Sequence, residues 1–191
     1  MNNKLKLSRA LILNTSAELF RKKSYSQVSM RSIALKLNVK AASLYNHISS
    51  KDEILEAIIF SLVDEFMQSI ENTKNAKIST KQKLEDIIKT HIDIAVKNPN
   101  SFGTLNNDWK FLKGSKKSEF INSRLSYERD LEHILKEGIE NHDIQNHNTK
   151  IIIYQILSPL RNIHLWNEKH QLSPQELKIE LSALILGGVL N

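Results

Sequence analysis

Residues 29–48 read SMRSIALKLNVKAASLYNHI, and the apolar residues of this stretch are spaced to pack one short helix across another. Asn38 stands between the two halves, and asparagine tolerates the left-handed backbone conformation better than most residues with a side chain. We predict a two-turn helix capped by Ser29, a tight turn at Asn38 and a second short helix over residues 40–48. Two short helices joined in this way form a helix-turn-helix, whose second helix enters the major groove of DNA.

The outward face of the predicted second helix is small and polar. Alanine and serine side chains would let the backbone approach a duplex closely, and Tyr45 and His47 can reach phosphates. Lys40 and Asn46 are polar enough to meet base edges, and Lys51 can meet a phosphate beside the amides of the next helix end. The predicted contacts in this region are Lys40, Ala41, Ala42, Ser43, Tyr45, Asn46, His47 and Lys51. A helical corner without a nucleic-acid partner is the alternative, but it does not explain this outer face.

Positive charge is concentrated near the N-terminus. Residues 1–52 hold ten Lys or Arg side chains against Glu18 and Asp52, a net charge of +8, whereas the whole chain carries +6. The remaining residues therefore carry −2. A basic N-terminal quarter on a nearly neutral body is the charge distribution expected of a nucleic-acid-binding head. A solvated, lysine-rich surface explains the charge alone equally well.

Composition favours an all-helical chain and excludes several kinds of site. Glycine and proline are scarce, with five and three residues among 191, while Leu, Ile, Lys and Glu are frequent. The absence of cysteine excludes disulfides, zinc-thiolate sites and thiol nucleophiles. We see neither a membrane-spanning run nor a signal peptide, so we expect a cytoplasmic protein with no membrane partner. We also expect no cofactor.

Capping and helix-breaking residues divide the chain into about nine helices, with no strand and no repeat. Internal Pro159 should kink the eighth helix, because proline removes a backbone hydrogen bond. Ser50 with Glu53, and Ser173 with Glu176, have the spacing of capping boxes. The predicted helices begin after the Ser8 cap and end near Lys23, begin at the Ser29 cap, and then cover 40–48, 50–70, 80–97, about 102–111, 117–141, about 150 onward, and 173–189.

The segment from Ile12 to Leu55 resembles the DNA-binding domain of the tetracycline-repressor (TetR/AcrR) family of bacterial transcription regulators. The pieces that carry the resemblance are Ile12-Leu13 and Leu19-Phe20, Tyr25 ahead of Val28-Ser29-Met30, Ile33-Ala34, Leu44-Tyr45, and Ser50-Lys51 before Ile54-Leu55. The family usually has glycine where Ser24 and Asn38 stand, and phenylalanine where Ile48 stands. Asn38 suits the turn, whereas Ser24 is strained if its φ is positive. The resemblance adds Ser29, Met30 and Arg31 to the predicted DNA contacts.

The resemblance also implies two domains: a helix-turn-helix DNA-binding domain over residues 1–52, and a helical effector-binding and dimerisation domain over residues 53–191. In the family the last two helices form the dimer face. This sequence offers apolar stripes there that are wider than one core requires. The predicted interface residues are Ile152, Ile156, Leu160, Ile163, Leu177, Leu181, Leu184, Ile185 and Val189. Two-fold pairing also suits DNA reading, because two heads read two half-sites.

The effector pocket is harder to locate, since aromatic residues at helical spacing belong to the core more often than to a pocket. The candidate lining residues are Phe102, Trp109, Phe111, Phe120, Tyr127, Tyr154 and Trp166. The stretch from Tyr127 through Leu177 is similar to family members that respond to fatty acids or acyl-coenzyme A. That resemblance implies a small apolar ligand whose carboxylate or phosphate meets Arg124, Arg129 or Arg161.

A metal site is a weaker interpretation of the histidines in the C-terminal half. His133, His142, Asp143 and His147 are unevenly spaced and lie mostly in a loop, which favours solvated histidines over ligands. His91 and His164 lie on mostly apolar helices and are better explained as core or pocket residues. We therefore predict no metal.

The leading hypothesis is a ligand-responsive repressor that binds a pseudo-palindromic operator as a dimer and is released by a small apolar ligand. An activator or a corepressor-dependent regulator of the same family fits the same residues. A helical enzyme is the alternative from another class, but we find no nucleophile-base pair, glycine-rich phosphate loop or metal set with paired carboxylates. A helical adaptor with non-specific DNA binding is the third hypothesis.

Overall fold

The computed structural model describes residues 6–190, and this part of the chain is all-α, as predicted. Its only β-type pairing within that range is an isolated bridge between Ile144 and Leu190. Within residues 6–190, no helix combines the length and apolar character needed to cross a membrane. The helices are α1 (Arg9–Lys23), α2 (Met30–Lys36), α3 (Ala41–Leu44), α4 (Lys51–Asn75), α5 (Thr80–Lys97), α6 (Pro99–Asp108), α7 (Gly114–Glu140), α8 (Thr149–Arg161), α9 (Ile163–His170) and α10 (Pro174–Leu186).

Three of the four predicted helix caps are confirmed, and the fourth forms in part. The Ser8 hydroxyl accepts from the amide of Leu11 at 3.2 Å, and Ser29 caps α2. Ser173 and Glu176 form the complete capping box of α10. Ser50 accepts from the Glu53 amide at 3.0 Å, but the Glu53 carboxylate accepts from Ser49, so only half of that box forms.

The predicted eighth helix is two helices, which raises the count in the described residues to ten. Proline has no amide to donate, and the chain three residues after Pro159 turns out of the helix at Asn162. The Asn162 amide donates to the Pro159 carbonyl at 3.4 Å, which tightens the last turn.

Two other helices end at residues that differ from the prediction. α4 extends beyond the predicted end at residue 70, and α10 stops before Gly187 instead of reaching Val189.

The chain forms two compact units, and their division differs from the predicted boundary at residues 52 and 53. The head unit consists of the described residues up to Leu62 together with Asn100–Ser118. The body unit consists of Val63–Pro99 and the described residues from Glu119 onward. The helices α4 and α7 each belong in part to both units. Residues 100–118, expected in the second domain, therefore belong to the same compact unit as the helix-turn-helix.

The head unit is built on one cluster of buried apolar residues. α1 contributes Ile12, Ala17 and Phe20, and the connection that follows it buries Tyr25 and Val28. The rest of this core is Ile33, Ala34, Leu44, Ile48, Ile54, Leu55, Ile58, Ile59, Phe102 and Leu112. Burial of this cluster places α2 and α3 against α1 and leaves their polar faces in solvent.

The body unit is built around α5, which buries an apolar face and packs against α8, α9 and α10. Lys178 of α10 pairs with Asp93 of α5 at 2.6 Å. Gly138 marks the closest packing, because a Cβ there would lie 2.5 Å from the Thr80 methyl group and 2.6 Å from Ile144 Cδ1. Any larger residue at Gly138 must therefore displace its neighbours.

An aromatic cluster lies in the body unit around His91. The His91 ring is buried, with its centroid 4.6 Å from that of Phe66 and 5.6 Å from that of Tyr127. Its Nδ1 lies 2.9 Å from the Ile87 carbonyl. Burial lowers the pKa of His91 from 6.5 to about 4, and the charge on Arg161 lowers it further, while the bond to Ile87 opposes the shift. The imidazole is therefore neutral at physiological pH.

We expect this histidine to make the protein sensitive to mild acid. Below pH 6.5 the unfolded chain binds a proton at His91 that the folded chain does not bind until about pH 4. The free energy of unfolding should therefore fall by about 3 kcal/mol between these values. Urea denaturation across this pH range measures the loss, and His91→Gln should show a flatter dependence. The exposed control His47→Gln should follow the wild type, and equal slopes in all three proteins would contradict the assignment.

Candidate nucleic-acid interface

The first helix of the helix-turn-helix, α2, begins on a pair of serines. The Ser29 hydroxyl accepts from the Ser32 amide at 3.1 Å, and the Ser32 hydroxyl accepts from the Ser29 amide at 3.0 Å. This reciprocal pair satisfies two amides that the helix leaves open. Arg31 is exposed beside it and Met30 is half-buried. The start of α2 therefore presents a cation at a rigid helix end.

The turn after α2 has the geometry predicted for it. Asn38 adopts a left-handed conformation, with φ at 54°. Its amide donates to the Leu35 carbonyl at 3.1 Å, and the amide of Val39 donates to the Ala34 carbonyl at 3.0 Å. These two bonds form a Schellman motif, which ends the helix and reverses the chain. The turn is thus fixed by main-chain bonds that any residue tolerating positive φ would allow.

The second helix, α3, is shorter than predicted and ends at Leu44. A turn continues from it, in which the amides of His47 and Ile48 donate to the Leu44 carbonyl at 2.9 and 3.1 Å. Leu44 and Ile48 are buried, so the opposite side of the segment faces solvent. The exposed residues of that side are Lys40, Ala42, Tyr45, Asn46 and His47, with Ala41 and Ser43 half-buried. The predicted contacts of this segment therefore lie together on one outward surface, which we call the recognition surface.

Lys51 is placed differently from the other predicted contacts. Its ammonium donates to the carbonyls of Tyr25 and Val28 at 2.9 and 2.8 Å. The same nitrogen lies 4.1 Å from the centroid of the Tyr25 ring. The sequence placed Lys51 at the start of a helix, and the phosphate contact was predicted from that position. A local pattern does not reveal the Tyr25 and Val28 carbonyls, which lie more than 20 residues earlier in the chain.

Tyr25 is the residue that sequence reasoning undervalued. Its hydroxyl donates to the Asp52 carboxylate, which also pairs with Lys113 at 2.9 Å. Burial raises the pKa of Tyr25, and the carboxylate of Asp52 raises it further. The bonds from Tyr25 and Lys113 lower the pKa of Asp52. The ring of Tyr25 packs edge-on against Phe20 and is tilted against Phe111.

A buried carboxylate completes this arrangement. Asp108, the last residue of α6, accepts from the Ser24 hydroxyl at 3.0 Å and from the Tyr25 amide at 3.2 Å. Burial raises the pKa of Asp108, while these two bonds oppose the shift. Ser24 has φ at 66°, the positive value that its place before Tyr25 suggested. No sequence signal distinguished Asp108 from any other acidic residue at a helix end.

The predicted pocket residues belong to two different units of the chain. Phe102 and Trp109 lie in the head unit, whereas Phe120, Arg124 and Tyr127 lie in the body unit. Tyr154 and Trp166 are exposed in the single chain. Tyr127 contacts the aromatic cluster with Phe66 and His91.

The arginines predicted at the pocket mouth lie on two helices of the body unit. Arg161 pairs with Glu128 at 3.2 Å. Burial lowers the pKa of Arg124, and the nearby charge on Arg161 lowers it further, so two guanidiniums share this neighbourhood. The Arg124 guanidinium lies 5.9 Å from the centroid of the Phe120 ring. Arg129 is exposed.

Most of the predicted dimer residues are core residues of the single chain. A side chain that is buried inside one chain offers little surface to a second copy. The buried members are Ile152, Ile156, Leu160, Ile163, Leu177, Ile185 and Val189. Leu184 is exposed and Leu181 is half-buried. The stripes of α8 and α10 look wider than one core requires because the two helices bury them against each other and against α5.

The histidines considered for a metal site are dispersed. Within the described residues, no three His, Cys, Asp or Glu side chains come together as a metal site requires. His133 faces Glu137 one helical turn away at 3.3 Å, and His147 bonds to Gln145 at 2.9 Å. These contacts account for both rings without a metal ligand role.

Comparison with known proteins agrees with both units. The profile of "Bacterial regulatory proteins, tetR family" matches residues 12–58, and that of "Tetracyclin repressor-like, C-terminal domain" matches residues 77–189. A basic helix-turn-helix on an all-helical body defines a DNA-binding transcription regulator. The chain belongs to the tetR family of bacterial regulatory proteins. Since this family consists of transcriptional regulators, the chain is not an enzyme.

Solved structures share this fold over nearly the whole chain. The ketosteroid transcriptional regulator KstR2 of Mycobacterium tuberculosis is 16% identical, with a TM-score of 0.90 over 98% of this chain and 97% of its own. The TetR-family regulator PfmR from Thermus thermophilus is 26% identical, with a TM-score of 0.82 over 93% and 97%. AibR in complex with isovaleryl coenzyme A and operator DNA is 18% identical, with a TM-score of 0.79 over 92% and 96%. A search among curated proteins found no match.

Two substitutions on the recognition surface should have distinguishable effects. Tyr45→Ala should weaken binding to every duplex by a similar factor of roughly ten, because a phosphate contact carries no sequence information. Asn46→Ala should instead change base preference at one position, because asparagine reads a base edge with two bonds. Fluorescence anisotropy with a panel of single-base variants of one duplex measures both. A uniform loss for Asn46→Ala would reassign it to the backbone.

Proposed function

We propose that this regulator is a dimeric repressor that binds a pseudo-palindromic operator and is released by a small apolar ligand. The observation that supports DNA reading most directly is the recognition surface, where polar and small side chains face solvent on a segment whose apolar residues are buried. Any solvated helix has this division, and what distinguishes this surface is that its small side chains stand beside exposed Lys40, Tyr45 and His47 on a basic head. The basic head supplies the attraction to phosphates.

Each DNA contact has a role set by its chemistry. Arg31 at the start of α2 and Tyr45 and His47 after α3 contact phosphates, because their polar groups end exposed side chains. Ala41, Ala42 and Ser43 let the backbone of α3 approach the bases. Lys40 and Asn46 supply the donors and acceptors that distinguish one base pair from another.

The dimer interface is the exposed apolar surface shared by α8 and α10. Its members, which we call the α8–α10 patch, are Ile151, Tyr154 and Leu184, which expose 64%, 72% and 73% of their surface. The two helices touch where the Gln155 side chain donates to the Ile185 carbonyl at 3.1 Å. Each patch residue lies within about one helical turn of this contact, so the three form one surface. A second copy of the chain would remove it from water in a two-fold arrangement.

The ligand is an acyl compound with an anionic end. The aromatic cluster of Phe66, His91 and Tyr127 offers apolar contacts inside the body unit, and Arg124 and Arg161 supply positive charge nearby. The structurally similar AibR binds isovaleryl coenzyme A. An acyl chain with a carboxylate or phosphate satisfies both features of this chain, since arginine suits anion binding.

Operator selection tests the regulatory proposal as a whole. The purified protein should enrich, from a pool of random duplexes, sequences with two inverted half-sites about 10 base pairs apart or a multiple of that spacing. Isovaleryl coenzyme A or palmitoyl-coenzyme A should then weaken binding to the enriched duplex by roughly 5- to 150-fold. Binding measured with palmitate alone and with coenzyme A alone separates the contribution of the acyl chain from that of the coenzyme A moiety. Enrichment of no sequence would overturn DNA reading, and unchanged affinity with all four compounds would overturn the acyl ligand.

Substitutions in the α8–α10 patch test the dimer. We expect Tyr154→Glu and Leu184→Glu each to give monomers in sedimentation velocity, because an unpaired carboxylate in an apolar interface is costly. Leu165→Glu, at an exposed site on α9, is the matched control and should remain dimeric. Dimers of both patch variants at micromolar concentration would place the interface elsewhere.

A further inference from the structure

The connection between α1 and α2 is held by a side chain from a third helix. Lys51, the first residue of α4, donates to the carbonyls of Tyr25 and Val28, the two ends of a four-residue segment. Its ammonium also lies over the face of the Tyr25 ring, where a cation is attracted to the negative face of the aromatic ring. Three contacts from one nitrogen therefore fix this segment to α4.

These contacts use most of what the ammonium can offer. A lysine has three N–H donors, and two are directed at carbonyls at 2.8 and 2.9 Å. Burial lowers the pKa of Lys51, which shows that the charge has given up part of its hydration. One N–H remains for a phosphate, and a second phosphate contact would require the ammonium to leave a carbonyl beside the buried Val28 or Tyr25 side chain.

The segment that Lys51 holds leads directly into the DNA-facing end of α2. Val28 is buried and is followed by Ser29, which caps the helix, and then by Met30 and exposed Arg31. A displacement of the Val28 carbonyl moves the cap and the first turn with it. Since phosphate contacts fix the register in which α3 meets the bases, the position of this turn matters for specificity.

We propose that Lys51 is a positioning residue for DNA recognition: it sets the start of α2 through the Tyr25 and Val28 carbonyls, instead of neutralising a phosphate. The proposal rests on the DNA-binding function proposed above. It differs from a phosphate role in two measurable ways. A positioning residue affects specific binding more than non-specific binding, and its loss leaves the salt dependence of binding unchanged.

The first experiment compares Lys51→Met with Lys40→Met, which removes an exposed charge from the recognition surface. For the duplex enriched by selection, Lys51→Met should lower affinity roughly tenfold, with less loss for a scrambled duplex and the wild-type slope of log K against log salt. Lys40→Met should reduce that slope by about one, because the exposed charge of Lys40 displaces a counterion from the duplex in addition to meeting a base. Equal losses for both duplexes with a slope reduced by about one in Lys51→Met would overturn the proposal. Circular dichroism confirms that each variant is folded.

The second experiment uses the wild-type protein, so it still tests the proposal if Lys51→Met does not fold. Acetylation of lysines by an acyl succinimide, followed by mass spectrometry, should modify Lys51 roughly tenfold more slowly than Lys40 in the DNA-free protein, because two bonds must break first. The selected duplex should protect Lys40 and leave the Lys51 rate unchanged. A fast Lys51 that DNA protects would overturn positioning. If no duplex protects any lysine, DNA binding fails, while the DNA-free rate still reports on the carbonyl bonds.

Discussion

Tyr25 is the residue on which the head unit depends, because its groups contact α1, α4 and α6 at the same time. Its ring packs on Phe20 of α1 and on Phe111, and its hydroxyl donates to Asp52 of α4. Its amide donates to Asp108 at the end of α6. The carbonyl accepts from Lys51 and from the amide of Val28. Because the chain passes from Tyr25 to the cap of α2 within four residues, these contacts together fix the start of the helix-turn-helix.

The head unit therefore includes more of the chain than the helix-turn-helix motif. Residues 100–118 contribute Asp108, Phe111 and Lys113 to the surroundings of Tyr25 and Asp52. α6 continues directly from α5 of the body unit through Pro99, and α7 returns to that unit. The chain therefore connects the body unit to the residues that hold α2 through Pro99 as well as through α4.

Local features of the fold were predictable from the sequence, whereas the partners of individual side chains were not. The caps at Ser8, Ser29 and Ser173 and the bounds of α5 depend on neighbouring residues, so they follow from short patterns. The apolar stripes of α8 and α10 indicate which face of each helix is buried. They do not indicate whether that face packs against the same chain or against another copy. Asp108 lies more than 80 residues from Ser24, and no local pattern joins them.

Ser24 gives the α1–α2 connection a property that glycine would not. Its φ of 66° and ψ of 149° lie close to a region that only glycine enters without cost. The serine hydroxyl offsets this cost by donating to Asp108, a bond that glycine cannot make. One carboxylate of α6 therefore stabilises the strained conformation of this turn. Loss of that bond would leave the strained backbone of Ser24 without compensation at the residue that precedes Tyr25.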